Sequence, residues 1–302
     1  MCYTAISSRY GFRRDDSQQL CFDSCRGSRG PPDRRRPPPL FADTLASTLL
    51  GDLAEGLLGY HRAHGEHVIL AGARTQVLCR SRYTEERLAD GVRAGLGQYV
   101  ILGAGLDTFA YRSDLAERIR TFEVDHPATQ DWKRQQLTDT RIPIPATVTY
   151  VPVDFEAEDL DERLRAAGFD PCLPALVSWL GVSMYLSRAA IAQTLAVVGG
   201  FAPGTEIVLD YMVPERLRDA AGQTYAEGVA AVAAERGEPW LSFFTPDEMA
   251  ALLTEHGFGV VEDLCQRDMF DHGWGARDDS LQPALLSRVV RARCARPVDA
   301  TS

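Results

Sequence analysis

The 302-residue chain is short of the features that mark several protein classes at once. Its seven cysteines, at 2, 21, 25, 79, 172, 265 and 294, include no CxxC pair. An odd, scattered set argues against a disulfide framework or a zinc module and for reduced thiols. No stretch approaches the ~18 uninterrupted apolar residues of a membrane span, and no leading apolar run has the form of a signal peptide. The expectation is a soluble cytoplasmic protein with no membrane partner. Neither the GxSxG of a nucleophile elbow nor the Walker GxxxxGKS/T occurs, which removes two common enzyme readings. Positive charge is in deficit: 32 Lys+Arg against 42 Asp+Glu leave a formal charge of -10. Such a chain has no field to gather nucleic-acid phosphates. Histidine is sparse too. His61, His64 and His67 run at i, i+3, i+6, but Gly65 interrupts them and no acidic pair or cysteine completes a metal site.

What is present is an alternation of short apolar runs with amphipathic segments. After a Pro/Arg-rich tract, Cys25 to Leu40, that suits a tether or extended arm, Phe41 to Gly59 reads as helix in one or two pieces. A second helical stretch covers 73–95. Strands are expected at 99–103, 120–125, 147–155, 174–181 and 205–212, with helical segments between successive runs. That rhythm predicts an α/β fold, a Rossmann-like doubly wound parallel sheet. Residues 1–95 form an N-terminal arm and helical elaboration on a core of 96–302, with a helical cap inserted around 213–244. Thr245 and Pro246 open a further helix, and "GVVEDL" and "LLSRVVRARC" supply a final pair of strands suited to an antiparallel edge.

The stretch "YVILGAGLDT" sets a glycine turn directly after the first strand. Gly103 and Gly105 match two positions of the dinucleotide fingerprint, but Thr108 stands where the third glycine belongs. A phosphate, a nucleoside or a tight corner each fits such a turn. Asp125 follows Gly105 by twenty residues at the tip of the second strand, where a carboxylate accepts ribose hydroxyl protons. Glu123 shares its strand parity, yet Asp125 lies nearer the carboxyl edge. Asp154, ending "YVPVD", places an acceptor for an adenine amino group at the third strand tip, with Phe155 beside the ring. Acids at successive strand ends, without the third glycine, suit S-adenosyl-L-methionine, which has no pyrophosphate. Methyl transfer then asks the protein chiefly to align the acceptor and exclude water. Tyr185, after the fourth strand, either orients that acceptor or closes the core. His126 either caps the next helix or approaches the cofactor as a general base. The alternatives are a dinucleotide-dependent oxidoreductase and a non-catalytic binding module.

Five blocks carry a resemblance: "RSRYTEERLADGVRAGLGQYVILGAGLDTFAYR", "TFEVDHPATQDWKRQQL", "YVPVDFE", "WLGVSMYL" and "FFTPDEMAALLTEHGF". Together they resemble bacterial S-adenosylmethionine-dependent methyltransferases related to leucine carboxyl methyltransferases, a group that includes polyketide O-methyltransferases. The resemblance runs from about Leu40 to Arg291. It implies the class I methyltransferase fold, with Gly103 in the cofactor loop, Asp125 on the ribose, and Asp154 with Phe155 bordering adenine. Arg80 matches a basic residue that pairs with the methionine carboxylate of the cofactor. Leu180 stands where the eukaryotic relatives carry a cofactor-contacting glutamate, so an apolar side chain packs there instead. The implied activity is O-methylation of a small or secondary metabolite, with a carboxylate among the possible acceptors. Neither the acceptor nor the oligomeric state is legible.

Overall fold

A computed structural model describes residues 41–155, 157–235, 237, 239–270 and 281–295. The Arg/Pro tract and His272 lie outside the described residues. Seven strands form one sheet in the order β3-β2-β1-β4-β5-β7-β6. They are β1 Gln98–Leu102, β2 Arg120–Asp125, β3 Val148–Pro152, β4 Leu176–Trp179, β5 Glu206–Met212, β6 Phe258–Cys265 and β7 Ser287–Cys294. β1 to β5 pair in parallel, while β7 runs antiparallel between β5 and β6. The chain order reverses between β1 and β4, and ligands bind at the carboxyl edge beside such a switch point.

Each central strand is buried on both faces, so its sequence is a continuous apolar run rather than an alternation. Val100 and Leu102 join one core layer with Phe122, Val177 and Leu209. That layer is closed by α6 Leu160–Ala166, α7 Arg188–Gly199 and α9 Pro246–Glu255. Tyr99 and Ile101 face the other way, onto Val77, Leu78, Tyr83 and Leu88 of α3 Val68–Arg93. Two shorter helices, α1 Ala46–Leu50 and α2 Leu53–His64, precede it. They are parted by Gly51 at φ 56°, so the stretch expected in one or two pieces is two, and the second runs past the expected Gly59 to His64.

α3 begins five residues before the expected 73. His67 caps it, its Nδ1 accepting the Ile69 amide at 3.3 Å. Gly72, inside the helix, provides room for a neighbour: a Cβ there would meet the Tyr225 ring at 3.1 Å. Tyr225 belongs to α8 Ala220–Glu235, inside the expected cap region, and Gly228 of the same helix sits against Ile69 with only 2.4 Å for an added Cβ. Small residues at both crossings let the two helices approach closely. The remaining helices are α4 Phe109–Arg112, α5 Pro127–Asp139 and α10 Gln266–Met269.

Candidate functional site

The glycine turn is held from several directions. Gly103 and Ala104 both donate their amides to the Val124 carbonyl, at 2.8 and 3.0 Å. Gly103 has φ 69°, a left-handed conformation that penalises any side chain. A Cβ there would also lie 2.4 Å from Val182 Cγ2. The close neighbour at Gly103 is thus a side chain of the protein's own loop after β4, so the glycine seats that loop against the turn. Gly105, at φ 47°, donates its amide to Asp125 Oδ2 at 2.6 Å. Asp125 Oδ1 accepts the His126 amide, also at 2.6 Å. The acid at the β2 tip therefore faces the first loop.

Glu123, one pleat back on β2, has a different task. Its Oε2 pairs with Lys133 Nζ of α5 at 2.7 Å, both side chains being 1% exposed. Lys133 also donates to the Asp107 carbonyl at 2.7 Å, tying the glycine loop to β2. Thr108 is buried at the vacant third-glycine position. Its hydroxyl donates to Asp43 and accepts from Arg112 Nε at 2.9 Å. Asp43 in turn accepts the Leu45 and Ala46 amides at 2.9 Å each, and Arg112 pairs with Glu85 of α3. This network fastens the loop to the N-terminal helices, which explains why threonine serves where a dinucleotide fold uses glycine.

Arg80 is buried on α3 and donates from Nη1 to Asp210 Oδ2 at 2.7 Å. Asp210, near the carboxyl end of β5, also accepts the Gly181 amide on Oδ1 at 2.5 Å. Its backbone carbonyl accepts from Ser183 Oγ at 2.6 Å. A single buried acid thus joins α3, β5 and the loop that carries Val182 and Tyr185. Sequence reading missed it; the available signal was a charged residue inside the apolar run "IVLDYM". Leu180 is partly buried against the α3-side core, and Tyr185 is half-buried at the same edge.

His126 is the N-cap of α5, its Nδ1 accepting the Ala128 amide at 3.2 Å. Of its two expected roles the geometry displays the cap. Asp154 starts the turn after β3: its amide donates to Glu158 Oε2 at 2.9 Å and its carbonyl accepts from Ala157 and Glu158. Phe155 packs, partly buried, on the main core. Gly103, Gly105, Asp125, Asp154, Phe155, Leu180 and Tyr185 all lie at or just beyond the carboxyl ends of β1 to β4, and Arg80 reaches the same edge through Asp210. Among the described residues no group of three or more His, Cys, Asp or Glu is placed to hold a metal ion, and no helix is long and apolar enough to cross a membrane.

Comparison with known proteins gives this edge a context. Residues 32–199 match the family model "Leucine carboxyl methyltransferase". A Bacillus subtilis (strain 168) relative, "Putative S-adenosyl-L-methionine-dependent methyltransferase YktD", is 38% identical over 207 residues, 68% of this chain and 67% of its own. A Mycolicibacterium smegmatis relative, likewise named for S-adenosyl-L-methionine-dependent methyl transfer, is 29% identical over 270 residues, covering 77% of this chain and 86% of its own. The crystal structure of "a putative methyltransferase" from Thermobifida fusca YX shares the fold at TM-score 0.54 and 20% identity, over 89% of this chain and all of that one. Methyl transfer displaces the dinucleotide and binding-module alternatives. The chain belongs to the leucine carboxyl methyltransferase family and is an S-adenosyl-L-methionine-dependent methyltransferase.

Proposed function

We propose that the enzyme methylates an oxygen of a small molecule, a carboxylate before a phenol or alcohol. The observation that carries the donor site is the Gly105 amide on Asp125 Oδ2 at 2.6 Å, which brings the first loop and the β2 acid onto one cradle. In this reading Gly103 and Gly105 shape the loop, Asp125 takes the ribose hydroxyls, and Asp154 with Phe155 borders the adenine. Arg80 receives the methionine carboxylate while Asp210 holds its guanidinium in place. Leu180 packs beside the donor. When bound, the cofactor supplies a methyl group on a sulfonium that leaves readily, so the chain's work is alignment and exclusion of water.

Tyr185 orients the acceptor oxygen, and the 213–244 cap closes over it. The use of His126 Nδ1 as a helix cap supports an acceptor that needs no general base. A carboxylate is ionised at neutral pH; a phenol or alcohol has a proton to lose. The test is incubation with isotopically methyl-labelled cofactor and paired carboxylic acids and phenols. Product label released as methanol by alkali identifies a methyl ester and supports the carboxylate. Alkali-stable label on oxygen rejects the carboxylate, and label on nitrogen or carbon rejects oxygen transfer.

A further inference from the structure

Past the carboxyl ends of β4 and β5, aromatic side chains gather on two methionines. Met184, Met212, Ala226 and Leu286 form a small buried cluster, with Tyr185, Tyr225, Trp240 and Phe243 packed partly buried around it. Backbone bonds bring these segments together. The Leu241 and Ser242 amides donate to the Met184 carbonyl at 2.7 and 3.2 Å, laying 240–243 across the loop after β4. Tyr225 comes from α8, its ring seated on Gly72.

Tyr225 and Trp240 are nearly parallel, at 19°, with ring centroids 6.5 Å apart. That is an offset stack, the centroids of such pairs lying about 4.5–7 Å apart. Trp240 Nε1 is a buried donor with no hydrogen-bond partner among the described residues. Trp179 Nε1 shares that state, but Trp179 is wholly enclosed in the core, whereas Trp240 is only half-buried beside the acceptor edge. An indole N–H left unmade in the protein alone is a group that a ligand oxygen can satisfy. Arg218 adds a cationic rim, its guanidinium 5.2 Å from the Phe243 ring centroid.

We infer that Tyr225 and Trp240 form the acceptor platform, and that the acceptor is a planar aromatic or conjugated molecule presenting an oxygen lone pair to the Trp240 N–H. This rests on the methyl-transfer reading of the same edge. The test is calorimetry with 2-naphthoate and its saturated counterpart, decahydro-2-naphthoate, each with and without S-adenosyl-L-homocysteine. The expected result is tighter binding of the flat acid by about tenfold, the scale of aromatic ring contacts. Trp240→Phe, which keeps a ring and removes the donor, is expected to weaken 2-naphthoate about tenfold. Tyr225→Leu should abolish the preference for the flat acid, and both variants should keep homocysteine-product affinity. Equal binding of the two acids, no binding of either, or a Trp240→Phe variant that binds as the parent does would overturn the platform. Absence of S-adenosyl-L-homocysteine binding would instead strike the donor reading, which this pair of acids does not measure.

Discussion

Gly103→Ala tests how the loop after β4 shapes the glycine turn. Two costs apply at this position. The left-handed φ of 69° costs a non-glycine residue about 1–2 kcal/mol. The new Cβ, 2.4 Å from Val182 Cγ2, meets a β-branched side chain that is stiff at χ1, and overpacking of that kind costs about 1–3 kcal/mol. The variant should therefore lose about 2–5 kcal/mol, which at ~2–4 °C per kcal/mol for a large domain is a melting-point fall of roughly 5–20 °C. Val182→Ala removes the colliding methyl but leaves the backbone strain. In a denaturant-unfolding cycle the double variant should recover the packing part, a coupling of about 1–3 kcal/mol. S-adenosyl-L-homocysteine affinity should fall in Gly103→Ala and return partly in the double variant. A Gly103→Ala protein as stable as the parent, or strictly additive effects, would refute the reasoning.

Other perturbations probe separate links. Asp210→Asn leaves buried Arg80 without its partner, the two side chains being 5% and 1% exposed, and should cost about 3–5 kcal/mol in chemical denaturation. Replacing both together, Arg80→Met with Asp210→Asn, which keeps an oxygen for the Gly181 amide, should restore much of that stability while donor affinity measured by calorimetry stays low. Burial pushes the Glu85 carboxyl from 4.5 up to about 7, against the opposing pull of Arg112. A raised acid favours the fold below the unfolded value and loses that benefit as pH rises through the folded one. Glu85→Gln should therefore flatten the stability–pH curve between 4.5 and about 7, read as melting temperature against pH. Tyr185→Phe should lower kcat by about tenfold or more with donor KM unchanged, as expected of lost acceptor alignment.

Much of the sheet was legible because parallel, doubly covered strands are written as mainly apolar runs: "YVIL", "LVSW" and "IVLDYM" each announce one, the last two with a single polar residue inside. The β3 run was read too long, since pairing with β2 stops at Pro152 although apolar character continues to Phe155. Residues 68–72 escaped the helix reading, and the neighbour that Gly72 makes room for, Tyr225, is more than 150 positions away. The same distance hid the supports of the site. Asp43, Glu85, Thr108 and Arg112 meet only after folding, and Asp210 lies 130 positions from Arg80. The strand-tip acids were visible because Asp125 and Asp154 are fixed relative to local strand ends. Which of Glu123 and Asp125 meets the loop followed from strand direction, and Lys133 accounts for the other.

The central claim is a donor cradle made by the first loop and the acid at the β2 tip, and calorimetry of the whole chain with S-adenosyl-L-methionine and S-adenosyl-L-homocysteine tests it most directly. The account predicts saturable binding of both at one site. It also predicts a loss of about tenfold or more on Asp125→Asn, a change that keeps one oxygen but removes a charge-assisted acceptor. Saturation by neither compound, or an Asp125→Asn protein that binds both as the parent does, would contradict it.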